Sequence, residues 1–447
     1  MRRALLLILG ALPGLRADNV LEPPREFRAA WIASVHNLDW PSRPGLSAPA
    51  QKSELLVLLD LAASLHLNAV ILQVRPSGDA CYASSIEPWS PFLSGKMGSS
   101  PGYDPLAFAV EEAHRRGLEL HAWFNPFRAQ ASPKYPPAGR HLGARHPEWM
   151  RGFAGSKWFD PGEPGVRDHA LAVIRDVVRR YDIDGVHIDD YFYPYPPSGT
   201  LGLGVSGFPD GATFSRHGRG QGLAEWRRSN VNAFVSALYS SVKSLRPSVK
   251  VGISPFGIWR PDAPEGIQAR LDSFEYLAAD SRTWLRRGWC DYLSPQLYWR
   301  IDPPQQSFPK LLHWWHSENS NRRHVWPGIC TARVQSSEDR GRPANEIVRQ
   351  IDLARQLSRQ PSGHVHWSIK ALRQNRGGIA ATLKNGPYAE RALVPASPWL
   401  GSNPPQRPWR HGRVGLSSFS RWRAFGGGCC RSAVVAAGRS SRCFQLQ

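Results

Sequence analysis

Short β-like runs alternate with longer helical patterns from Phe27 to about Lys384, and this alternation constrains the fold more than any other feature of the chain. Eight of the runs are rich in β-branched and aromatic residues, which favour strands. The predicted strands are Phe27–Ala33, Asn68–Val74, Leu118–Phe124, Gly185–Asp189, Lys250–Ser254, Asp291–Leu297, His324–Ile329 and His364–Ile369. The predicted helices lie at roughly 51–66, 104–116, 166–181, 221–246, 278–287, 305–318, 344–358 and 373–384,.

Strands that alternate with helices favour right-handed crossovers and a parallel sheet. Eight such units predict an α/β fold of the TIM (β/α)8 barrel type, with long βα loops, over residues 25–399,. Helix boundaries support the pattern, since Asp104-Pro105 is a start signal and Gly288 a stop signal,. The alternative is an open doubly wound sheet, but no Gly-x-Gly-x-x-Gly turn follows the first strand,.

Both ends of the chain differ from this pattern. Residues 1–17 have an Arg-Arg start, a short apolar run and a small residue at Ala17, which predicts a signal peptide and an exported protein, periplasmic or extracellular,. The apolar run is too short to span a membrane, and no later stretch is apolar enough. Residues 400–447 are dominated by Gly, Ser and Arg, which predicts a disordered basic tail or an aberrant sequence, as a frameshift would produce,.

A net charge of +20 would ordinarily suggest nucleic acid as a partner,. However, residues 401–447 alone contain eight Arg and no Asp, Glu or Lys, and the remaining excess of +12 is spread over 400 residues. There is no zinc-finger spacing and no aromatic RNA-binding motif,. We therefore expect no nucleic-acid partner.

Two adjacent carboxylates, Asp189 and Asp190, follow the apolar run of the fourth predicted strand. The C-terminal ends of barrel strands are where catalytic groups lie, because the strand fixes the side chains while the next loop forms a pocket around them. Ionised carboxylates are costly to bury without partners. A strand-end Asp can also simply cap the next loop, so each residue alone has an ordinary structural explanation.

Polar and aromatic residues lie at or just beyond the other predicted strand ends. Sugar rings present flat apolar faces and hydroxyl groups, so Trp for stacking and Arg, Asn or Gln for hydrogen bonds complement them. The candidate substrate-binding residues are Arg75, Asp79, Trp123, Asn125, Arg128, Tyr191, Trp259, Gln296, Tyr298, Trp299 and Trp367. Each Trp alone is more often a packing residue, but their collection at one end of a barrel indicates a polysaccharide substrate.

No cofactor is expected. The histidines lack the spacing of a metal site, and the six cysteines form neither a zinc motif nor a disulfide framework,. There is no Gly-x-Ser-x-Gly motif and no Walker phosphate loop,.

Several long motifs occur in order and together resemble one family. They are Glu26-Phe-Arg-Ala-Ala-Trp-Ile-Ala-Ser-Val-His-Asn-Leu-Asp-Trp-Pro, Leu72-Gln-Val-Arg-Pro-Ser-Gly-Asp-Ala, Glu87-Pro-Trp-Ser, His121-Ala-Trp-Phe-Asn-Pro-Phe-Arg, Trp158-Phe-Asp-Pro-Gly, Asp184-Gly-Val-His-Ile-Asp-Asp-Tyr-Phe-Tyr-Pro and Ser294-Pro-Gln-Leu-Tyr-Trp. They resemble the bacterial glycosyl-hydrolase-like family 10, also called domain of unknown function 187. This resemblance implies a TIM-barrel glycoside hydrolase of the cell envelope, with peptidoglycan-type glycan strands as the substrate class.

Most glycosidases use two carboxylates. We expect Asp190 to be the acid, because it lies further toward the loop, and Asp189 to orient or tune it. A separate nucleophile could be Asp79, Glu87 or Asp160 from a long loop. Alternatively, the substrate's 2-acetamido group is the nucleophile, with one of Asp189 and Asp190 as the acid, the other orienting the amide, and Tyr298 hydrogen-bonded to it. The rival functions are a carbohydrate-binding barrel without catalysis and a metal-dependent hydrolase such as a polysaccharide deacetylase.

Overall fold

Parallel strands form the wall of a barrel in the computed structural model, which describes residues 23–197, 207–358 and 362–401. Within these residues, the barrel strands correspond one to one to the eight predicted strands. They are β1 (Phe27–Ile32), β2 (Ala69–Arg75), β3 (Glu119–Phe124), β4 (Gly185–Ile188), β5 (Lys250–Ile253), β6 (Tyr292–Leu293), β7 (His324–Val325 and Gly328–Ile329) and β8 (Gly363–His366).

The ring of strand pairing closes through β7, which is interrupted at Trp326 and Pro327. Its first half pairs with β6, its second half pairs with β8, and β8 pairs with β1. Pro327 has no N–H to donate to a neighbouring strand, although its carbonyl still accepts from Val365 N at 3.0 Å,. The predicted barrel is therefore confirmed, and the open doubly wound sheet is excluded.

A helix follows each strand and covers the outside of the barrel. The helices are α1 (Ala48–Ser64), α2 (Pro105–Arg115), α3 (Pro164–Arg180), α4 (Leu223–Leu245), α5 (Ser281–Arg287), α6 (Phe308–Ser317), α7 (Ala344–Leu357) and α8 (Ile369–Arg373 and Ile379–Asn385). The start and stop signals are confirmed, because Asp104 accepts from the N–H groups of Leu106 and Ala107, and Gly288 ends α5 with φ of 66°,.

The prediction for the eighth unit was wrong in detail. The strand ends at His366 rather than Ile369, and the single predicted helix is two short ones. Asn375, Gly377 and Gly378 all have positive φ, which an α-helix does not allow, and they separate the two pieces,.

The long loops after the strands carry elements of their own, which the sequence did not predict. A short helix, Pro91–Ser94, follows β2, and another, Gly211–His217, follows β4. The loop after β3 contains three short antiparallel strands, Arg128–Gln130, Met150–Phe153 and Ser156–Phe159. All of these elements lie on the C-terminal side of the barrel, where they surround the open end.

Aromatic side chains fill the inside of the barrel, and two glycines make room for them. A Cβ atom on Gly252 would lie 1.9 Å from Cζ of Tyr292, and one on Gly185 would lie 2.6 Å from the ring of His121. The hydroxyl of Tyr292 lies 2.8 Å from Nδ1 of His121 and 2.9 Å from Nδ1 of His187. This buried network places His187 on the inward face of β4, and by strand alternation Asp189 follows it inward.

The chain after α8 closes the opposite, N-terminal end of the barrel. Leu393 pairs with Arg25 just before β1, and Val394 packs against the interior aromatic cluster. The indole N–H of Trp399 donates to Asp291 Oδ1, just before β6, at 2.7 Å. The segment therefore crosses the N-terminal end of the barrel from β1 to β6.

The predicted signal peptide, residues 1–17, lies outside the described residues, as does all but the first two residues of the predicted tail, 400–447. Among the described residues, no helix combines the length and the apolar character needed to cross a bilayer.

Candidate active site

Asp189 and Asp190 lie at the C-terminal end of β4, in the open end of the barrel. Their exposed fractions are only 3% and 5%. Directly beneath them, Nε2 of His187 accepts a hydrogen bond from the indole N–H of Trp31 at 3.1 Å and lies 2.9 Å from the hydroxyl of Ser254. Two adjacent carboxylates are thus held in a mostly dry pocket above a packed aromatic interior.

Asp189 is held from the side of β2 and β3. The side-chain amide of Asn125 donates to Asp189 Oδ2 at 2.5 Å, and the backbone N–H of Tyr191 donates to Oδ1 at 3.3 Å. Asn125 in turn accepts from the side-chain amide of Gln73 at 2.6 Å. The first carboxylate is therefore connected by hydrogen bonds to the ends of two neighbouring strands.

Asp190 is held from the opposite side. The hydroxyl of Tyr195 donates to Asp190 Oδ2, and the side chain of Gln296, beyond β6, is also hydrogen-bonded to this carboxylate. Gln296 is fixed by donating to the carbonyl of Ser254, beyond β5, at 2.9 Å. The two carboxylates therefore have separate sets of partners.

The two aspartates titrate together. Burial raises the pKa of Asp189, and the negative charge of Asp190 raises it further, to about 7. Burial also raises the pKa of Asp190, while its hydrogen bonds from Tyr195 and Gln296 oppose that rise. Two like charges this close in a dry site destabilise each other, so the two carboxyl groups lose their protons in separate steps. Such a pair can offer an acid and an anion side by side.

Arg128 supplies the positive charge at this site. Its guanidinium lies 4.3 Å from the ring centre of Tyr191 and 5.7 Å from that of Trp158. It lowers the pKa of both Asp189 and Asp190, although burial outweighs it in each case. Stacking on two aromatic rings fixes a planar guanidinium better than a flexible ammonium, so Arg is suited to this position.

An aromatic rim runs along the open, C-terminal end of the barrel, which we call the mouth, from the loop after β3 to the loop after β6. It consists of Trp158, Tyr191, Tyr195, Phe256 and Trp299. Consecutive ring centres are 5.9, 5.4, 6.4 and 5.5 Å apart. Trp158 and Phe256 are buried, whereas Tyr191, Tyr195 and Trp299 are only partly buried and keep ring surface on which a sugar ring could stack,.

Three indoles form the floor of the mouth. The ring centre of Trp367 lies 6.0 Å from that of Trp31 and 6.2 Å from that of Trp123. The indole N–H of Trp123 is buried and has no hydrogen-bond partner within the described structure. A buried donor without a partner is unusual and is suited to receive an oxygen atom from a ligand.

Of the predicted binding residues, the structure brings together at the mouth Trp123, Asn125, Arg128, Tyr191, Gln296, Trp299 and Trp367. Tyr298 is also there but is 4% exposed, and its carbonyl accepts from Arg342 at 2.8 Å. Trp259 lies apart, with its ring 6.0 Å from Trp314 of α6 and 5.0 Å from the guanidinium of Arg282.

Arg75 and Asp79 lie beneath the loop after β2 rather than at the mouth. Arg75 donates twice to Glu87, at 2.9 and 2.6 Å, and also to the carbonyl of Asn125 at 2.5 Å. Asp79 is fully buried and accepts from the backbone N–H of Ser77 at 2.9 Å. Both residues therefore support the loop.

The three loop carboxylates considered as a separate nucleophile are all bonded within their own surroundings. Glu87 is paired with Arg75, and Asp79 is buried as described above. Asp160 accepts from Gly162 N at 2.9 Å and from the hydroxyl of Thr213 at 2.7 Å. None is free to reach the aspartate pair without breaking these bonds.

Three members of the aromatic rim, Tyr195, Trp158 and Phe256, were not among the candidate binding residues. Tyr195 ends the aromatic run that begins at Tyr191, and Trp158 begins the Trp-Phe-Asp-Pro-Gly motif, so both carried a signal. Across residues 23–197, 207–358 and 362–401, no three or more His, Cys, Asp or Glu side chains are grouped as metal ligands.

Comparison with known proteins agrees with this architecture. The glycosyl hydrolase-like 10 family model matches residues 26–343. Glycosyl hydrolase YngK of Bacillus subtilis is 42% identical over 394 residues, which cover 86% of this chain and 76% of that protein. Glycosyl hydrolase DigH of Escherichia coli K12 is 34% identical over 367 residues, covering 74% of this chain and 82% of that protein.

The fold also resembles a solved enzyme domain. The glycoside hydrolase domain of PgaB from Bordetella bronchiseptica superimposes with a TM-score of 0.50 at 13% identity, covering 81% of this chain and 98% of that one. At that identity the likeness concerns the fold alone. The family match and the two relatives show that this chain belongs to the glycosyl hydrolase-like 10 family.

Proposed function

We propose that this protein is a glycoside hydrolase that cleaves an N-acetylated, peptidoglycan-type glycan of the cell envelope with Asp189 and Asp190. The observation that carries the proposal is the buried aspartate pair, in which burial raises the pKa of both carboxyl groups and hydrogen bonds reach them from two sides of the barrel mouth. A glycosidase needs both an acid for the leaving oxygen and an anion near the reacting sugar.

The bonds that tie Asp79, Glu87 and Asp160 into their loops favour the 2-acetamido group of the substrate as the nucleophile. In this mechanism its carbonyl oxygen attacks the anomeric carbon while Asp190 protonates the departing glycosidic oxygen. Asp189 accepts the N–H of the acetamido group and stabilises the positive charge that develops there. Water then attacks the anomeric carbon, and Asp190 takes a proton from it. Two displacements would retain the anomeric configuration.

The surroundings of the pair are consistent with a glycan. Trp31, Trp123 and Trp367 provide an apolar floor for a methyl group or a sugar face, and the aromatic rim extends along the mouth. The partnerless indole N–H of Trp123 could donate to a hydroxyl or acetamido oxygen. The signal-like residues 1–17 support export to the compartment where such glycans occur,.

The test is the pair of single variants Asp189→Asn and Asp190→Asn. Each should lower the rate of glycan cleavage at least about a hundredfold, since a positioned acid contributes roughly 10² to 10⁴ in rate, or about 3 to 5.5 kcal/mol of barrier. Fragments from purified envelope glycans would be followed by mass spectrometry, which also identifies the linkage cleaved. Asp60→Asn, at a 64%-exposed carboxylate on α1, is the matched control and should cleave normally.

If both variants fold normally by circular dichroism and keep near-normal turnover, the catalytic site lies elsewhere. The same variants also separate the rival function. A carbohydrate-binding barrel without catalysis would bind glycan equally well as wild type and as Asp190→Asn, and neither protein would release fragments.

A further inference from the structure

A carboxylate in the loop after β1 joins the ends of the first and last strands of the barrel. Oδ2 of Asp39 accepts from the backbone N–H of Ala33, just beyond β1, at 2.8 Å. Oδ1 accepts from the hydroxyl of Ser368 at 2.6 Å and from the backbone N–H of Lys370 at 3.3 Å, both beyond β8. Asp39 is 7% exposed. We call the three hydrogen bonds of this side chain the carboxylate bridge.

The carboxylate bridge continues a connection that the backbone no longer makes. Strand pairing between β1 and β8 stops at His366. Beyond this point Trp31, in β1, and Trp367, the residue after β8, lie side by side with ring centres 6.0 Å apart. The bridge binds Ser368, the residue after Trp367, to the loop that follows β1. It therefore holds the two chain segments together just beyond the indole pair.

Trp367 is the indole in the floor of the mouth that keeps surface for a ligand. Trp31 and Trp123 are only 2% and 4% exposed, whereas Trp367 is partly buried and packs against the interior cluster. On the side of β7, the backbone N–H of Trp367 donates to the carbonyl of Ile329 at 2.9 Å. On the side of β1, the chain that leaves Trp367 is held by the carboxylate bridge. The backbone that carries this ring is thus held from both neighbouring strand ends.

The carboxylate bridge needs an acceptor at each oxygen. The backbone N–H groups of Ala33 and Lys370 can only donate, and they approach different oxygens of Asp39,. Burial raises the pKa of Asp39 to about 6, although its hydrogen bonds and the charge of Lys370 oppose that rise. Lys370 is held nearby, because its ammonium group donates to the carbonyl of Leu38 at 3.0 Å. Above about pH 7 the side chain of Asp39 is therefore mostly ionised and can accept all of these bonds.

We propose that Asp39 is a positioning residue, which fixes the indole of Trp367 in the floor of the mouth and thereby strengthens the binding of a sugar ring placed against it. Asp39 acts through Trp367 rather than on the sugar itself. The inference rests on the proposed function, because it assigns a role within that glycan site. It also explains why the loop after β1 carries a carboxylate at a buried position, where an ionised group is costly without partners.

The test variant is Asp39→Leu, which removes both acceptor oxygens at similar volume. ¹⁹F NMR at about pH 8, on protein labelled with 5-fluorotryptophan, would follow the Trp367 signal, which is assigned by its loss in Trp367→Phe. We expect this signal to shift by more than its linewidth or to broaden, because the indole is no longer held in one orientation. We expect KM for the glycan to rise at least about tenfold while kcat changes less than about threefold, since sugar binding rather than the reaction is weakened.

Asn68→Leu is the matched control. Asn68 is also 7% exposed, and its side chain also makes three hydrogen bonds, but at the opposite end of β1. It accepts from the backbone N–H of Arg28 at 2.9 Å and donates to the carbonyls of Glu26 and Ala392 at 2.7 and 3.1 Å. This variant should share any loss of stability but leave the Trp367 signal and KM unchanged.

Should Asp39→Leu fail to fold, Ser368→Ala removes the shortest bond of the carboxylate bridge and should move the same signal. The proposal is overturned if the Trp367 signal keeps its position and width in whichever variant folds. It is also overturned if the signal moves while KM stays within about twofold of the wild-type value.

If wild-type protein cleaves no glycan, the proposed function fails, and the dissociation constant of a soluble chitin tetramer replaces KM. Equal affinity of wild type and variant for this tetramer, or no binding by either, then overturns the role in binding. The NMR readout needs no substrate, so it decides whether Asp39 positions Trp367 in either case.

Discussion

Replacing Glu87 by Gln should destabilise the protein strongly, although Glu87 lies outside the mouth of the barrel. Its carboxylate is fully buried and accepts two hydrogen bonds from Arg75, at 2.9 and 2.6 Å, and one from His169 at 2.8 Å. The neutral amide would leave the guanidinium of Arg75, which is 1% exposed, without its directly bonded counter-charge. Breaking a buried pair in this way typically costs about 3–5 kcal/mol.

The lowered pKa of Glu87 leads to a similar magnitude. Burial alone would raise its pKa, but the charge of Arg75 and the hydrogen bonds from His169 and Arg75 outweigh burial and lower the pKa from 4.5 to about 2. A pKa shift of that size corresponds to a contribution of about 3 kcal/mol to the free energy of unfolding. Because the folded-state pKa is the lower one, this stability is present above about pH 4.5 and is lost as the pH falls toward 2.

Unfolding by urea or heat measures both effects. At pH 7 we expect Glu87→Gln to lower the free energy of unfolding by about 3–5 kcal/mol and Tm on the order of 10 °C. Between pH 5 and 2 the variant should lose about 3 kcal/mol less stability than wild type. Glu111→Gln removes an exposed pair with Arg115 and should change stability by less than about 0.5 kcal/mol,. If Glu87→Gln came within 1 kcal/mol of wild type at pH 7, the reasoning from burial would be refuted.

Two further predictions concern the ends of the chain. Deleting residues 402–447 should leave Tm within a degree or two. Ending the chain before Val394 should lower Tm by several degrees, because Val394 and Trp399 pack across the N-terminal end of the barrel. A ten-degree loss of Tm on deleting residues 402–447 would show that the tail is packed. When the protein is expressed in a secretion-competent bacterium, its mature form should begin near Asp18, as N-terminal sequencing would show,. Finding Met1 on protein recovered from the cell envelope would exclude the signal peptide.

The barrel could be predicted because each βα unit carries its own periodicity and some helices carry their own start or stop signal. Asp104 and Gly288 act locally, so their effect on α2 and α5 was visible in the sequence. The elements inside the loops, such as Gly211–His217 and the three antiparallel strands after β3, were not visible. They are short, and their stability comes from contacts with the barrel rather than from local propensity.

Strand-end positions predicted which residues lie near the mouth but not which way they point. Arg75 is the last residue of β2, and the pairing of β2 with β3 shifts register between Gln73 and Arg75. Such an irregularity re-aims the following side chain, and Arg75 faces Glu87 instead of the mouth,. Trp259 lies six residues beyond β5, where no strand fixes its direction, and it packs against Trp314.

The different surroundings of the two aspartates are a long-range property of the fold. Adjacent residues with the same side chain have the same local propensity, so the sequence around Asp189 and Asp190 contains nothing that gives them different partners. Asp189 is bonded by Asn125, which is held by Gln73, and Gln73 accepts from the backbone N–H groups of Ser34 and Val35. A barrel is suited to this arrangement, because it brings the ends of four successive strands side by side however long the intervening loops are.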